Sequence, residues 1–513
     1  MTTLRAIAAA AALGLGLGLA QPLQACDLDG SFGSAGVATF SSPVGGATAT
    51  GNDVLVLSNG RLLVAGAALD AGGNTQAAWW ASDAQGNLVT SAAYSAMAGA
   101  GGTLQQFYTA TQAGSGGPIY LAGMAMDAAG NTKAMLAKLQ FPGLGLDASF
   151  GTLATGWVLQ AAPGLNGAGV AVDSLGRVYL AAAGSLSRWT AAGVLDSSFA
   201  GGGSLTFDAS GQARDLRLDS QGRLVVAGQH LQSPELWRVL PSGGMDPAFA
   251  AGGTLAVASG APLSAFLAVD CDSSDGLLAT GYADSAGGSQ WLALRADSAG
   301  NTSAGFGTAG LAKGSVVSGL SGISSADGSL FNADGTLLLA GSAPSGLFDE
   351  AVLWQLSSAG VLDAAFGSGG QHSLASLPSA IQRPRLQGSL AFATGYDGTS
   401  AALWRLASCS EGPLAASPTP ALPAGAGSSQ AVAYPVPAKD HISFAFSLAS
   451  ASTVRLEIYD ERGQRVLSSS RSLPPGPTVW PQTLAGFAPG VYLYRLIPDQ
   501  GSAFALAKFV VQR

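Results

Sequence analysis

Residues 60–66 read GRLLVAG, a turn followed by an apolar run that ends on small residues, and the phrase returns along the chain. Its other copies are PIYLAG at 118–123, GRVYLAAA at 176–183, GRLVVAG at 222–228, GLLATG at 276–281, GTLLLAG at 335–341 and SLAFATG at 389–395. The interval between copies is about 46 to 60 residues, the range in which a repeat is one supersecondary unit stacked on its neighbours. Most copies are followed by a second strand with an aromatic or Leu-rich phrase: AAWWAS, AMLAKL, ELWRVL, QWLALR, AVLWQL and AALWRL. Turns such as LDAGGNTQA (from 69) and MDAAGNTKA (from 126) lie near these strands, and their Gly and Asn accept positive φ. Each interval holds three or four short strands and no helical period. Strands reading as continuous Leu, Val and Ala, without alternation, are covered on both faces, as between two blades. The pattern predicts an all-β chain with a seven-bladed β-propeller.

Composition agrees. Of 513 residues, 48% are hydrophobic, so a large core is available, while 73 are glycine and 11% are charged against roughly 25% in an average soluble domain. A net charge of −8 with no basic run excludes nucleic acid as a partner. Residues 1–25 carry Arg5, an apolar run from Ala6 to Ala20 and Leu23-Gln24-Ala25 before Cys26, the layout of an export signal with cleavage between Ala25 and Cys26. No later stretch has the length of a transmembrane segment. The mature protein is therefore expected to be secreted or at the cell surface.

A second phrase recurs: LDGSF at 28, LDASF at 146, LDSSF at 195, MDPAF at 245 and LDAAF at 362, each before a turn of small residues, while NTSAGF (301–306) keeps only the Phe. The copy due near 86–94 has lost both Asp and Phe. These residues read as a loop joining the outer strand of one blade to the next. Asp29, Asp147, Asp196, Asp246 and Asp363 read as closers of Asx turns, and the phenylalanines as plugs between blades. Trp79, Trp80, Trp237, Trp291, Trp354 and Trp404 fall at like positions and read as inter-blade packing. LDxSFGxxG followed by a DxxGRLLVAG-type strand resembles the delta-60 repeat of exported bacterial proteins, over roughly residues 28–408. The resemblance implies architecture and brings no catalytic residues, and the propeller is placed at 26–409.

Residues 410–430 are rich in Pro, Ala, Gly and Ser and read as a linker. In 431–513, period-two alternation at Ile442-Phe444-Phe446, at Val454-Leu456-Ile458 and from Val491 to Leu496 points to a β-sandwich. This tail resembles the C-terminal sorting domain of type IX secretion substrates and the related immunoglobulin-like domain of flagellar hook-capping proteins. The matching positions are Tyr434, Pro435 and Pro437, the turn glycine Gly463, Gly490 and Tyr492 in APGVYLYRL, and Lys508; Val436 stands where the family usually has Asn. The resemblance implies a sorting or anchoring role and the secretion machinery as a partner.

Candidate chemistry is sparse. His230, His372 and His441 lie in separate segments, which excludes sequential metal-ligand motifs. Asp270, Asp272 and Asp275 around Cys271 leave calcium as the one cofactor option, without the central Gly and closing Glu of an EF-hand. No catalytic, cofactor-binding or metal residue is assigned. Leu23-Gln-Ala-Cys26 approximates a lipobox. Alternatively, aligning the repeats circularly puts Cys26 and Cys409 in one connection, where a disulfide would close a loop worth about 5 kcal/mol in the chain-entropy model and leave Cys271 free and buried. The favoured reading is a non-enzymatic recognition or structural module facing an extracellular protein or glycan. A secreted propeller glycoside hydrolase or polysaccharide lyase, and a surface lipoprotein anchored through Cys26, stay open.

Overall fold

A computed structural model describes residues 28–406 apart from 95–102, 128, 154, 161–166, 286–287, 315–324, 332–334, 346–347, 365, 368, 375–378 and 388–389. It also describes 432–511 apart from 435–440, 449, 460–464, 474, 485–486, 489 and 500–506. The export signal, Cys26, Cys409, the linker, Pro435, Pro437 and Gly463 lie outside the described residues. The chain divides into two compact units, 1–417 and 418–513.

The first unit contains seven antiparallel four-stranded sheets. Blade 1 runs Gly45–Val56, Leu62–Asp70, Thr75–Ser82 and Leu88–Tyr94, and five further blades repeat that order over 105–159, 167–206, 211–256, 263–313 and 325–373. Blade 7 has three strands from the end of the propeller, Ser379–Gln387, Leu390–Asp397 and Ser400–Leu406, and takes its fourth, Val37–Phe40, from the start of the chain. Each blade's first strand packs against the first strand of the next, and blade 7 packs against blade 1, so the sheets close around a central channel. The recurring GRLLVAG phrase is the second strand of every blade, buried almost throughout because a blade lies on either side.

The LDxSF phrase sits elsewhere than expected. It joins the third strand of a blade to the fourth, as the bridges Trp189 to Leu195, Val239 to Met245 and Leu356 to Leu362 show, rather than leading from one blade into the next. Because the repeat is cyclic, sequence alone does not fix where one blade ends. Asp196 accepts the Ser198 N–H at 3.1 Å and hydroxyl at 2.7 Å, the Asx turn that the sequence predicts.

The aspartate has a second task. Eight or nine residues upstream, a basic side chain on the third strand pairs with it: Lys138 with Asp147 (2.9 Å), Arg188 with Asp196 (2.8 Å), Arg238 with Asp246 (2.8 Å) and, across the chain ends, Arg405 with Asp29 (2.9 Å). The same cation donates to a turn carbonyl of the next blade, Lys138 to Ala191, Arg188 to Pro241, Arg238 to Ser298 and Arg405 to Ala84. It also lies over the phenylalanine of the phrase, with Arg238 4.5 Å from the Phe249 ring centre. Those phenylalanines are buried at blade interfaces, as Phe199 is against Leu216 and Leu224 of blade 4. LDxSF is thus half of a clamp that ties blade to blade. Blade 1 lacks the phrase; its third strand turns directly into a seven-residue fourth strand, where the Tyr94 hydroxyl accepts from Trp79 Nε1 at 3.2 Å.

The second unit has a three-stranded sheet (Val432–Tyr434, His441–Leu448, Gly476–Thr483) and a four-stranded one (Ser452–Tyr459, Arg465–Leu473, Gly490–Pro498, Ala507–Val511). Phe444, Phe446, Leu456, Ile458, Trp480, Tyr494 and Leu496 form its core.

Candidate functional site

The final glycine of the opening phrase positions the site. In six blades the phrase closes on a glycine inside the second strand (Gly66, Gly123, Gly228, Gly281, Gly341, Gly395), opposite a β-bulge in the first strand. A Cβ on Gly66 would stand 1.9 Å from the Thr50 carbonyl oxygen, and one on Gly395 1.7 Å from that of Ala380. In blade 3 the glycines are on the first strand, Gly167 and Gly169, and Ala182 takes the facing place. A bulge inserts one unpaired residue and re-aims its side chain.

In all seven blades that extra residue lines the mouth of the channel: Asn52, Tyr108, Ala168, Arg214, Leu267, Asp327 and Gln382. They enclose a cavity of about 340 Å³. The backbone is the same seven times over, and the side chains are almost all different. The Asn52 amide donates to the Phe107 carbonyl of the next blade at 2.7 Å. Tyr108 accepts from the Gln106 amide, and burial pushes its phenol above the usual range, so it stays a protonated donor at neutral pH.

Behind the ring lie buried charges. Asp53 accepts the Thr109 hydroxyl (3.0 Å) and the Ala110 N–H (2.9 Å) of blade 2, and Asp215 accepts the Val269 N–H (3.1 Å) of blade 5 from the equivalent position. Arg217 pairs with Asp215 (2.9 Å) and Asp270 (3.3 Å). Burial alone would pull its pKa down, but the carboxylates of Asp215, Asp270 and Asp53 more than offset that and raise it. The arrangement is a polar cavity with one cationic, one anionic, two amide, one phenolic and two apolar side chains. No histidine, cysteine or hydroxyl nucleophile with an adjacent base stands in the ring.

The sequence-level candidates disperse. Asp270 faces Arg217 and the Ser329 hydroxyl (3.3 Å), Asp272 closes its own hairpin and pairs with Arg295 (2.8 Å), and Asp275 accepts from Ser220 (2.8 Å). Three carboxylates turned to three partners do not make a calcium loop. Burial raises the Cys271 thiol to about 12. His372 packs edge-to-face on Phe366 in blade 6. His230 is brought against Asp208 and Glu235, three residues whose spacing follows no ligand motif. In the tail, the Tyr434 backbone pairs with Ser443, Gly490 with Val511 and Lys508 with Leu493, while Tyr492 is buried and donates to the Ala488 carbonyl at 2.9 Å. Among the described residues, no helix is long and apolar enough to cross a membrane.

Residues 432–512 match the secretion system C-terminal sorting domain, so the chain carries a type IX sorting tail and is a secreted or cell-surface protein that engages the secretion machinery. No curated protein matches the chain. Among solved structures it is similar to PorZ, a surface component of the type IX secretion system of Porphyromonas gingivalis (12% identity, 88% of this chain and 68% of that one, TM-score 0.32). It is also similar to a protein of unknown function from Bacteroides caccae (12% identity, 62% and 99%, TM-score 0.33) and to Sqt1 of Chaetomium thermophilum (13% identity, 72% and 96%, TM-score 0.41).

Proposed function

We propose that this protein is an exported, non-catalytic recognition module of delta-60-like repeats that holds a segment of an extracellular glycan in the channel mouth. The observation that carries the reading is the bulge ring: one invariant backbone device presents seven side chains, of which five are polar. Amides, a phenol and one charge of each sign match the hydroxyl-rich surface of a sugar, and Tyr108 supplies an aromatic body with a polar tip. The charges behind the ring are paired with one another, which suits a fixed binding surface better than proton transfer. In this reading the signal (1–25) and the linker (410–430) serve export and reach, and Cys26 is bonded to Cys409.

The test is a glycan array probed with the mature chain, followed by Tyr108→Ala and Asn52→Ala. Binding that falls tenfold or more in both variants, with the bound polymer recovered intact, supports the reading. Shortening of the bound polymer would establish the hydrolase or lyase alternative, and binding unaffected by either substitution would place the ligand off the ring.

A further inference from the structure

Blade 4 departs from its own repeat at two places that meet. The residue two after the second-strand glycine is Ala68, Ala125, Ala283 and Ala343 in blades 1, 2, 5 and 6 and Asp397 in blade 7, and in blade 4 it is His230. The residue paired with that glycine is Ala78, Met135, Leu292, Val352 and Ala402 in blades 1, 2, 5, 6 and 7, and in blade 4 it is Glu235. Glu235 is 8% exposed, and its carboxylate accepts no hydrogen bond among the described residues. A carboxylate placed where the repeat wants a hydrocarbon costs several kcal/mol unless something compensates it.

The third member comes from the connection between blades 3 and 4. Asp208 Oδ1 accepts the Ser210 N–H at 2.9 Å, which leaves Oδ2 to meet His230 Nδ1 at 2.7 Å. Two glycines make room for this loop. A Cβ on Gly184 would lie 1.5 Å from the Asp208 carbonyl oxygen, and one on Gly211 2.8 Å from Asp208 Cβ. Donor atoms of Asp208, His230 and Glu235 all lie within 4.8 Å of one another. Bonds of about 2.0–2.2 Å to one ion set such donors roughly 3.3 Å apart, and the His230 ring, 46% exposed, has room to close the difference.

We infer that Asp208, His230 and Glu235 form a site for one divalent transition-metal ion, beside the channel mouth on blade 4. One imidazole nitrogen with two carboxylates suits Zn²⁺ or its neighbours in the first transition row better than Ca²⁺, which takes six to eight oxygens. The carboxylate that the repeat cannot otherwise explain becomes a ligand, and open coordination positions face solvent on the His230 side.

The experiment is isothermal titration of the metal-free mature chain with Zn²⁺, Mn²⁺ and Ca²⁺, with melting temperature read in parallel. The result expected is one Zn²⁺ per chain, a rise in melting temperature on loading, and at least a tenfold loss of affinity in His230→Ala and in Glu235→Gln. His372→Ala and His441→Ala should bind as the parent does. Metal-free Glu235→Gln should melt at or above the parent, which shows that the variants fold. Absence of stoichiometric binding, or binding that survives His230→Ala, overturns the assignment.

Discussion

Replacing Arg238 by Met removes one inter-blade clamp while keeping an unbranched side chain of similar length. Arg238 is 2% exposed, and three contacts depend on it: Asp246 at 2.8 Å, the Ser298 carbonyl of blade 5, and the Phe249 ring at 4.5 Å. After the change Asp246 keeps the Ala248 N–H at 3.0 Å and the more distant Arg223 at 3.9 Å, too little to offset the burial of its charge. Breaking a buried pair in this way costs about 3–5 kcal/mol. With an unfolding entropy of about 2.1 cal/mol/K per residue, spread over a propeller of this size, the melting temperature should fall by about 4–6 °C. Asp246→Asn should be similarly harmful. Arg238→Met with Asp246→Asn should melt no lower than the worse single variant, because the second change removes the charge that the first leaves stranded. Differential scanning calorimetry of the four chains gives the answer. Additive losses, or a shift under about 1 °C for Arg238→Met, would refute the clamp as a source of stability.

Two other outcomes are checkable. Glu457 in the tail is 2% exposed, and the Tyr459 hydroxyl (2.6 Å) with Arg495 (2.8 Å) holds its carboxyl down to about 2 from 4.5. A depressed carboxylate contributes stability above its unfolded pKa that is lost as pH falls through the folded one. Protection of residues 441–511 should therefore weaken between about pH 4.5 and 2, by about 2–3 kcal/mol, in hydrogen exchange read by mass spectrometry, and Glu457→Gln should flatten that profile. In the exported chain, non-reducing peptide mapping should find Cys26 joined to Cys409, with Cys271 unmodified by iodoacetamide at pH 8 until the protein unfolds; an acylated Cys26 would exclude the bridge.

The number of blades was legible because the second strand is buried on both faces and says so in each copy, GRLLVAG to SLAFATG. The tail's two sheets were legible through alternation such as Val454-Leu456-Ile458, and its sorting role only through a family resemblance at positions such as Tyr434 and Gly490. The place of LDxSF within a blade was hidden, since a ring has no first residue and its phase appears only when Val37–Phe40 pairs with Ser400–Leu406. The channel ring was hidden as well. A single extra residue between Gly51 and Asp53 leaves no mark in a period-two count, although the paired glycine, Gly66, was its visible shadow. His230 stands alone in sequence, and only the alanines at the same repeat position, Ala68 and Ala125, set it apart.

The strand that completes blade 7 is the first of the propeller to be made. Val37–Phe40 must wait, with its hydrogen-bonding edge unsatisfied, until Ser400–Leu406 is made about 360 residues later. Loop closure of that span is the slowest kind of contact to form. A chain cut short in synthesis can therefore build its middle blades but cannot finish the ring, and the sorting tail is made only after the partner strand. Sorting is thus tied to maturity: the sorting tail is complete only after the last piece of the ring has been made.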